Sequence, residues 1–123
     1  MGSFLGGVLT PIMLTLTTGT RIFVAVAPVD LRRGFDGLSA HVQNVLAQQV
    51  LDGGLFVFSN RRRTRLRLLW FDGTGSWQAT KRLEAGVFSW PQGEGAAVGL
   101  RPEQLSALIT GLEVREKPGW YRR

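Results

Sequence analysis

The stretch Leu55–Trp90, LFVFSNRRRTRLRLLWFDGTGSWQATKRLEAGVFSW, decides how the chain is read. Three runs rich in β-branched, aromatic and leucine residues follow one another in it, with a fourth short run at its end. Ser59-Asn60, Asp72-Gly73-Thr74-Gly75 and Glu84-Ala85-Gly86 separate the runs. Apolar runs this close together, joined by short loops of turn-forming residues, predict an antiparallel meander. In Thr64–Asp72 a period-2 alternation sets Leu66, Leu68 and Trp70 on one face and Arg65, Arg67, Leu69 and Phe71 on the other. The first set is expected to be buried. Arg65 and Arg67 then share a solvated face beside the Arg61–Arg63 turn. The run Ser76–Leu83 is only weakly amphipathic, and its inward face stays open.

Upstream, Arg21–Ala27 (RIFVAVA) is an almost continuous apolar run that Pro28 ends. It reads as a strand covered on both faces, or on one face with a partner helix. In Val29–Val50 the residues Phe35, Leu38, Val42, Leu46 and Val50 recur at steps of three and four, so they form one helix face. Asp30 or Asp36 is placed to cap its start. Gly34 and Gly37 each cost a helix about 1 kcal/mol. The motif DLRRGFDGL (Asp30–Leu38) is therefore shaped by something besides helicity: a backbone bend, or a close approach by another group. Downstream, Trp90-Pro91 closes the sheet and Gln92–Gly99 reads as a small-residue loop. Pro102 opens a second helix with Leu105, Leu108, Ile109 and Leu112 as its stripe.

These features predict an α+β fold: a four- to five-stranded antiparallel sheet, a meander, with two helices packed against it in the order β-α-β-β-β-β-α. One domain is expected over residues 13–114, with a disordered leader at 1–12 and a basic flexible tail at 115–123. Phe4–Leu16 is apolar, but no basic residue precedes it, Pro11 interrupts it and no small-x-small site follows, so it does not read as a signal peptide. Met13 is expected to be the true start. No apolar run reaches the length of a membrane span. A cytoplasmic location is expected.

The net charge is +6, and seven basic residues against two acids between Leu55 and Trp90 account for +5 of it. Such a cluster points toward polyanions. Only Lys81 and Lys117 among the 15 basic residues are lysines; arginine brings a planar fork that binds phosphate or a guanine edge through two bonds. With no cysteine, disulfides, zinc–thiolate sites, iron–sulfur clusters and thiol catalysis are excluded. One histidine, His41, excludes a multi-histidine metal site and reads as a surface or boundary residue. Asp30, Asp36, Asp72 and Glu84 are the carboxylates that a metal-dependent nuclease would use, but all have ordinary turn or cap positions and nothing groups three of them. No cofactor is implied.

The arginine hairpin is the candidate site. A two-stranded ribbon fits the major groove of DNA, and its arginines can neutralise phosphates there. Edge protection also uses charge, but three consecutive arginines exceed what it needs. An acidic protein would use the same residues. Trp70, Trp77 and Trp90 read as core. Trp77 is the expected exception, because it follows the turn directly.

Thr18–Ala25 (TGTRIFVA), Asp30–Leu38, Leu55-Phe56-Val57-Phe58, Arg65–Gly75 (RLRLLWFDGTG), Lys81–Gly86 (KRLEAG) and Trp90-Pro91 occur in that order. Together they resemble the TnpB accessory-protein family, the second-reading-frame products of bacterial insertion sequences of the IS sixty-six type. The resemblance runs from about Met13 to the end. It implies a small non-catalytic protein that acts in DNA transposition with a separate, larger transposase, and it carries no catalytic residues over. At Arg101 the family tends to have Thr or Ser, which cap a helix better. The resulting expectation is DNA binding through Arg61, Arg62, Arg63, Arg65 and Arg67, extended by Lys81 and Arg82, with Arg32 and Arg33 as weaker candidates. The rival is an adaptor that binds the transposase and touches no DNA. Self-association into a homo-oligomer is left open.

Overall fold

A computed structural model describes residues 21–111, so Met13, the leader 1–12, Leu112 and the tail 115–123 lie outside the described residues. The elements are β1 (Ile22–Ala25), α1 (Phe35–Asn44), a 3₁₀ turn (Val50–Asp52), β2 (Leu55–Ser59), β3 (Arg65–Phe71), β4 (Ser76–Arg82), β5 (Ala97–Gly99) and α2 (Pro102–Thr110). The five strands form one open sheet in the order β4-β3-β2-β1-β5. β2, β3 and β4 are the predicted meander. β1 and β2 are parallel, with Ile22 against Leu55 and Val24 against Val57, whereas β5 joins β1 antiparallel. The parallel pair follows from the chain between them: parallel strands need a long crossover, and residues 26–54 supply one that contains α1.

Helices cover both faces, and so the central strands are buried on both sides. Ile22, Val24, Leu55, Val57, Leu66, Leu68 and Trp70 pack with Leu105 and Leu108 of α2. Ala25, Phe56, Phe58 and Leu69 pack on the opposite face with Leu38 and Val42 of α1. This explains the unbroken apolarity of RIFVAVA and LFVF. It also corrects the reading of β3: Leu69 is as buried as Leu68, because α1 covers that face over its second half. Only the end that carries Arg65 and Arg67 stays open.

Three local expectations change. The fourth run of the opening stretch, Val87–Trp90, forms no strand. Phe88 and Trp90 are buried there, and their polar atoms are met outside any ladder: the Phe88 N–H donates to the Arg63 carbonyl at 2.8 Å and Trp90 Nε1 donates to the Ala25 carbonyl at 2.9 Å. The fifth strand comes instead from Ala97–Gly99, inside the stretch read as a loop. Ala97 and Gly99 have little strand propensity of their own, and the open edge of β1 recruits the segment. The first helix is shorter than its apolar stripe. Leu46 and Val50 are buried as expected, but an irregular segment delivers them, with Ala47 in the left-handed region (φ 58°). Neither Asp30 nor Asp36 caps α1, whose N-cap is Gly34 without a side-chain bond.

Of the two explanations for the glycine motif, the close approach holds, at Gly37. Gly34 is the N-cap, in extended backbone that any residue adopts and with open space where a Cβ would stand. At Gly37 an added Cβ would lie 2.9 Å from Arg33 Cβ, so the close approach of the Arg33 stem requires glycine. At α2, Arg101 stands where a hydroxyl cap would be, and the Gln104 side chain accepts the Arg101 N–H at 2.8 Å instead.

Candidate nucleic-acid interface

The site is built around the turn between β2 and β3. Asn60 holds it: its Oδ1 accepts the N–H groups of Thr64 and Arg65, both at 3.0 Å, and its Nδ2 donates to Thr64 Oγ1 at 2.9 Å. The Arg63 N–H closes the turn on the Asn60 carbonyl. Arg63 takes φ 60°, a left-handed position unusual for a long side chain. That conformation turns it away from its neighbours. Its guanidinium donates to Ser59 Oγ at 3.1 Å and to the Val26 carbonyl at 2.9 Å, and lies 5.1 Å from the centre of the Trp90 ring. Burial lowers its pKa. Arg63 thus clamps the turn to the β1 end and to the Trp90 segment.

On the α1 face, a groove of about 650 Å³ opens between the segment after β1 and the edge of the hairpin. Arg32, Arg61, Arg65, Arg67 and Arg82 line it, together with Asn60 and Thr80. The ladder explains the grouping. Arg65 pairs with Arg82 and Arg67 with Thr80, so these side chains share one face. Arg67 is held in place by Thr80 Oγ1 at 2.8 Å and the Arg33 carbonyl at 3.2 Å. Asp30 is the one acid in the lining, and it is bound to Arg32: Arg32 Nε and Nη2 each donate to its carboxylate at 3.0 Å, as does the Arg32 N–H. Those bonds lower the Asp30 pKa from 3.8 to about 2. Five cations therefore face one groove against one carboxylate that is already partnered.

Of the seven basic residues expected to act together, Arg61, Arg65, Arg67 and Arg82 line this groove. Arg62 is exposed at the turn but outside the lining. Arg63 is occupied as described. Lys81 pairs with Leu66 and so belongs to the opposite face, where its Nζ donates to the Ile109 carbonyl at the end of α2 at 2.8 Å. Arg32, a weaker candidate, joins the lining, whereas Arg33 contributes its carbonyl to Arg67. The arginine pattern does not single out Asn60; the sequence signal for it is its place in the Ser59-Asn60 turn pair.

The tryptophans divide as expected. Trp70 and Trp90 are buried, and Trp77 is 43% exposed. Trp77 stacks on Trp70 at 5.7 Å and 6°, and its Nε1 donates to Asp72 Oδ2 at 2.6 Å. The other Asp72 oxygen accepts the N–H groups of Thr74 and Gly75, and these bonds hold its pKa well below the usual carboxylate range. Asp72 is thus a turn-building residue. Among the described residues, no three His, Asp or Glu side chains come together in a metal-binding group. His41 is half-buried with its ring edge-on to Phe58 at 5.9 Å, and burial together with Arg33 lowers its pKa.

The described residues form an open α+β sheet with a helix on each face and an arginine-lined groove at one end. The chain belongs to the family described as IS66 Orf2 like protein, whose model matches residues 20–118. Membership implies an accessory role in the transposition of IS66-type insertion sequences. The chain is 42% identical over 110 residues to the uncharacterized protein y4hO of Sinorhizobium fredii (strain NBRC 101917 / NGR234), covering 89% of this chain and 96% of that protein. It is 41% identical over 109 residues to the uncharacterized protein y4jC of the same strain, covering 86% and 93%. No solved structure matches it. No described helix is long and apolar enough to cross a membrane.

Proposed function

We propose that this protein assists transposition by binding the DNA sugar-phosphate backbone in the arginine groove. The observation that carries this reading is the convergence of Arg32, Arg61, Arg65, Arg67 and Arg82 from separate segments on one groove. Arginine forks bind phosphate oxygens through two parallel bonds, and grouped cations gain further from releasing the counterions of DNA. The role is one of binding and positioning. The transposase supplies the chemistry, in the cytoplasm where the element resides.

The test is equilibrium binding to duplex DNA across a salt series. The wild-type protein is compared with Arg61→Ala/Arg65→Ala/Arg82→Ala, whose folding is checked by circular dichroism. Every phosphate left without its arginine should reduce the slope of log K against log salt by about 0.9, so the triple variant should lose roughly 2 to 3. Lys81→Ala, on the other face, should leave the slope unchanged. If the wild-type protein does not bind DNA at low salt, the reading fails. The groove is then matched to an acidic protein surface, for which the transposase is the first partner to assay by co-purification.

A further inference from the structure

The outer edge of β4 has no strand beside it among the described residues, since β4 ends the sheet order. It is seven residues long, and all of them but the half-buried Ala79 are exposed. The ladder shows which backbone groups face outward. The Leu83 N–H donates to the Thr64 carbonyl and the Asp72 N–H to the Gly75 carbonyl, both at 2.9 Å, in step with the pairs from Arg65–Arg82 to Phe71–Ser76. Hydrogen-bonded pairs alternate in an antiparallel ladder. Lys81, Ala79 and Trp77 therefore turn their N–H and C=O groups toward β3. Ser76, Gln78, Thr80 and Arg82 turn theirs to the open side.

An antiparallel copy of β4 can meet this edge only in registers that set even-numbered residues opposite even-numbered ones. One of those registers pairs the whole strand, with Ala79 opposite Ala79 on a two-fold axis. In it Ser76 stands opposite Arg82, Gln78 opposite Thr80 and Trp77 opposite Lys81. No like charges oppose each other. Slipped registers pair fewer residues, and further slips set Lys81 opposite its own copy. Trp77 and Lys81 fall at a non-hydrogen-bonded position, where facing side chains are closest, so the apolar stem of the lysine, whose Nζ is held by the Ile109 carbonyl, lies beside the indole. Trp77 is already presented for such a contact, exposed at 43% yet pinned by Trp70 and Asp72.

We propose that two copies of this chain associate through β4 in that register, forming one continuous sheet across a two-fold axis. Facing residues of antiparallel strands share a face, so the two arginine grooves lie on the same side of the joined sheet. The proposal does not depend on what the grooves bind.

The chain has no cysteine, so Ala79→Cys introduces a single thiol at the axis. Opposite residues at a non-hydrogen-bonded position have Cα atoms about 4.5 Å apart, within the span of a disulfide. Mild oxidation should convert Ala79→Cys to a covalent dimer and leave Thr80→Cys, which faces Gln78, uncrosslinked. Gln78→Pro removes an N–H that faces outward and spares the β3–β4 ladder, a substitution an edge strand accepts. By sedimentation equilibrium without DNA, it should raise the dimer dissociation constant at least about tenfold with an unchanged circular dichroism spectrum. A wild-type protein that sediments as a monomer at every concentration overturns the proposal. So does a dimer that persists unchanged in Gln78→Pro, or one that Ala79→Cys fails to cross-link. Because DNA is absent, none of these results bears on the groove.

Discussion

Arg61 and Arg63 stand two residues apart in one turn, and Lys81 and Arg82 are adjacent in one strand, yet each pair is split between two regions. Arg61 and Arg82 line the groove on the α1 face. Arg63 folds under the turn to hold Val26, Ser59 and Trp90, and Lys81 crosses the opposite face to the end of α2. The same kind of charge lines an open groove in one region and serves internal cohesion in the other. What separates them is strand parity in β4 and one left-handed residue in the turn. Arg63 and Lys81 have met backbone carbonyls of other segments and are held by the fold, whereas Arg61 and Arg82 line the open groove.

The cohesive region is most vulnerable at Trp90. Trp90→Ala removes a buried indole that carries Arg63 and bonds Ala25, and should cost about 3–5 kcal/mol in denaturant unfolding. Arg63→Ala should cost about 2–3 kcal/mol, because it removes the donor to the partly buried Val26 carbonyl and to Ser59 Oγ, together with the contact with Trp90. Arg63→Lys should recover little of this, since a point charge cannot reach both oxygens as the fork does. Arg61→Ala, by contrast, should change stability by no more than about 0.5 kcal/mol. If the two arginine variants are equally stable, the division between the two regions is wrong.

On the binding side, single variants in the salt series distinguish the two kinds of arginine. Arg65→Ala and Arg82→Ala should each reduce the slope by about 0.9, whereas Arg63→Ala should act through folding and leave the slope of the folded fraction intact.

The smallest effect is expected from pH. The Asp30 carboxyl is held at about 2 in the folded protein, below its ordinary 3.8, chiefly by the Arg32 side chain. A lowered value means that its contribution is present above pH 3.8 and is lost as pH falls toward 2. Asp30 is exposed, so the change in stability should be slight. Asp30→Asn should flatten that limb of the stability profile, and at neutral pH it should release Arg32 and tighten DNA binding at low salt.

Much of the architecture was legible because it rests on periodicity. The alternation of Leu66, Leu68 and Trp70, the helical spacing of Leu38 and Val42, and Pro102 before Leu105 each state a local geometry and a buried face. Trp77 was separable from Trp70 by its place directly after the Asp72–Gly75 turn. The fifth strand was not legible, because Ala97-Val98-Gly99 carries no pattern and is a strand only by virtue of the edge it completes. The division among the arginines was equally out of reach. RRRTRLR reads as one cluster, and the partners that divide it, Val26, Trp90 and Arg32, are distant in sequence.

The α+β class, the order of the elements through β4, the two apolar helix stripes and the concentration of positive charge in one hairpin are all written in the residue pattern. Each of these depends on residues within a turn or two of one another. Three features emerge only in the folded chain: β1 and β2 run parallel with a helix on either face, Ala97–Gly99 joins the sheet, and a particular subset of the cations lines the groove. These depend on which residues remote in sequence supply a hydrogen-bond acceptor, an aromatic face or an open edge. The chain fixes those partnerships by packing, which local pattern does not encode.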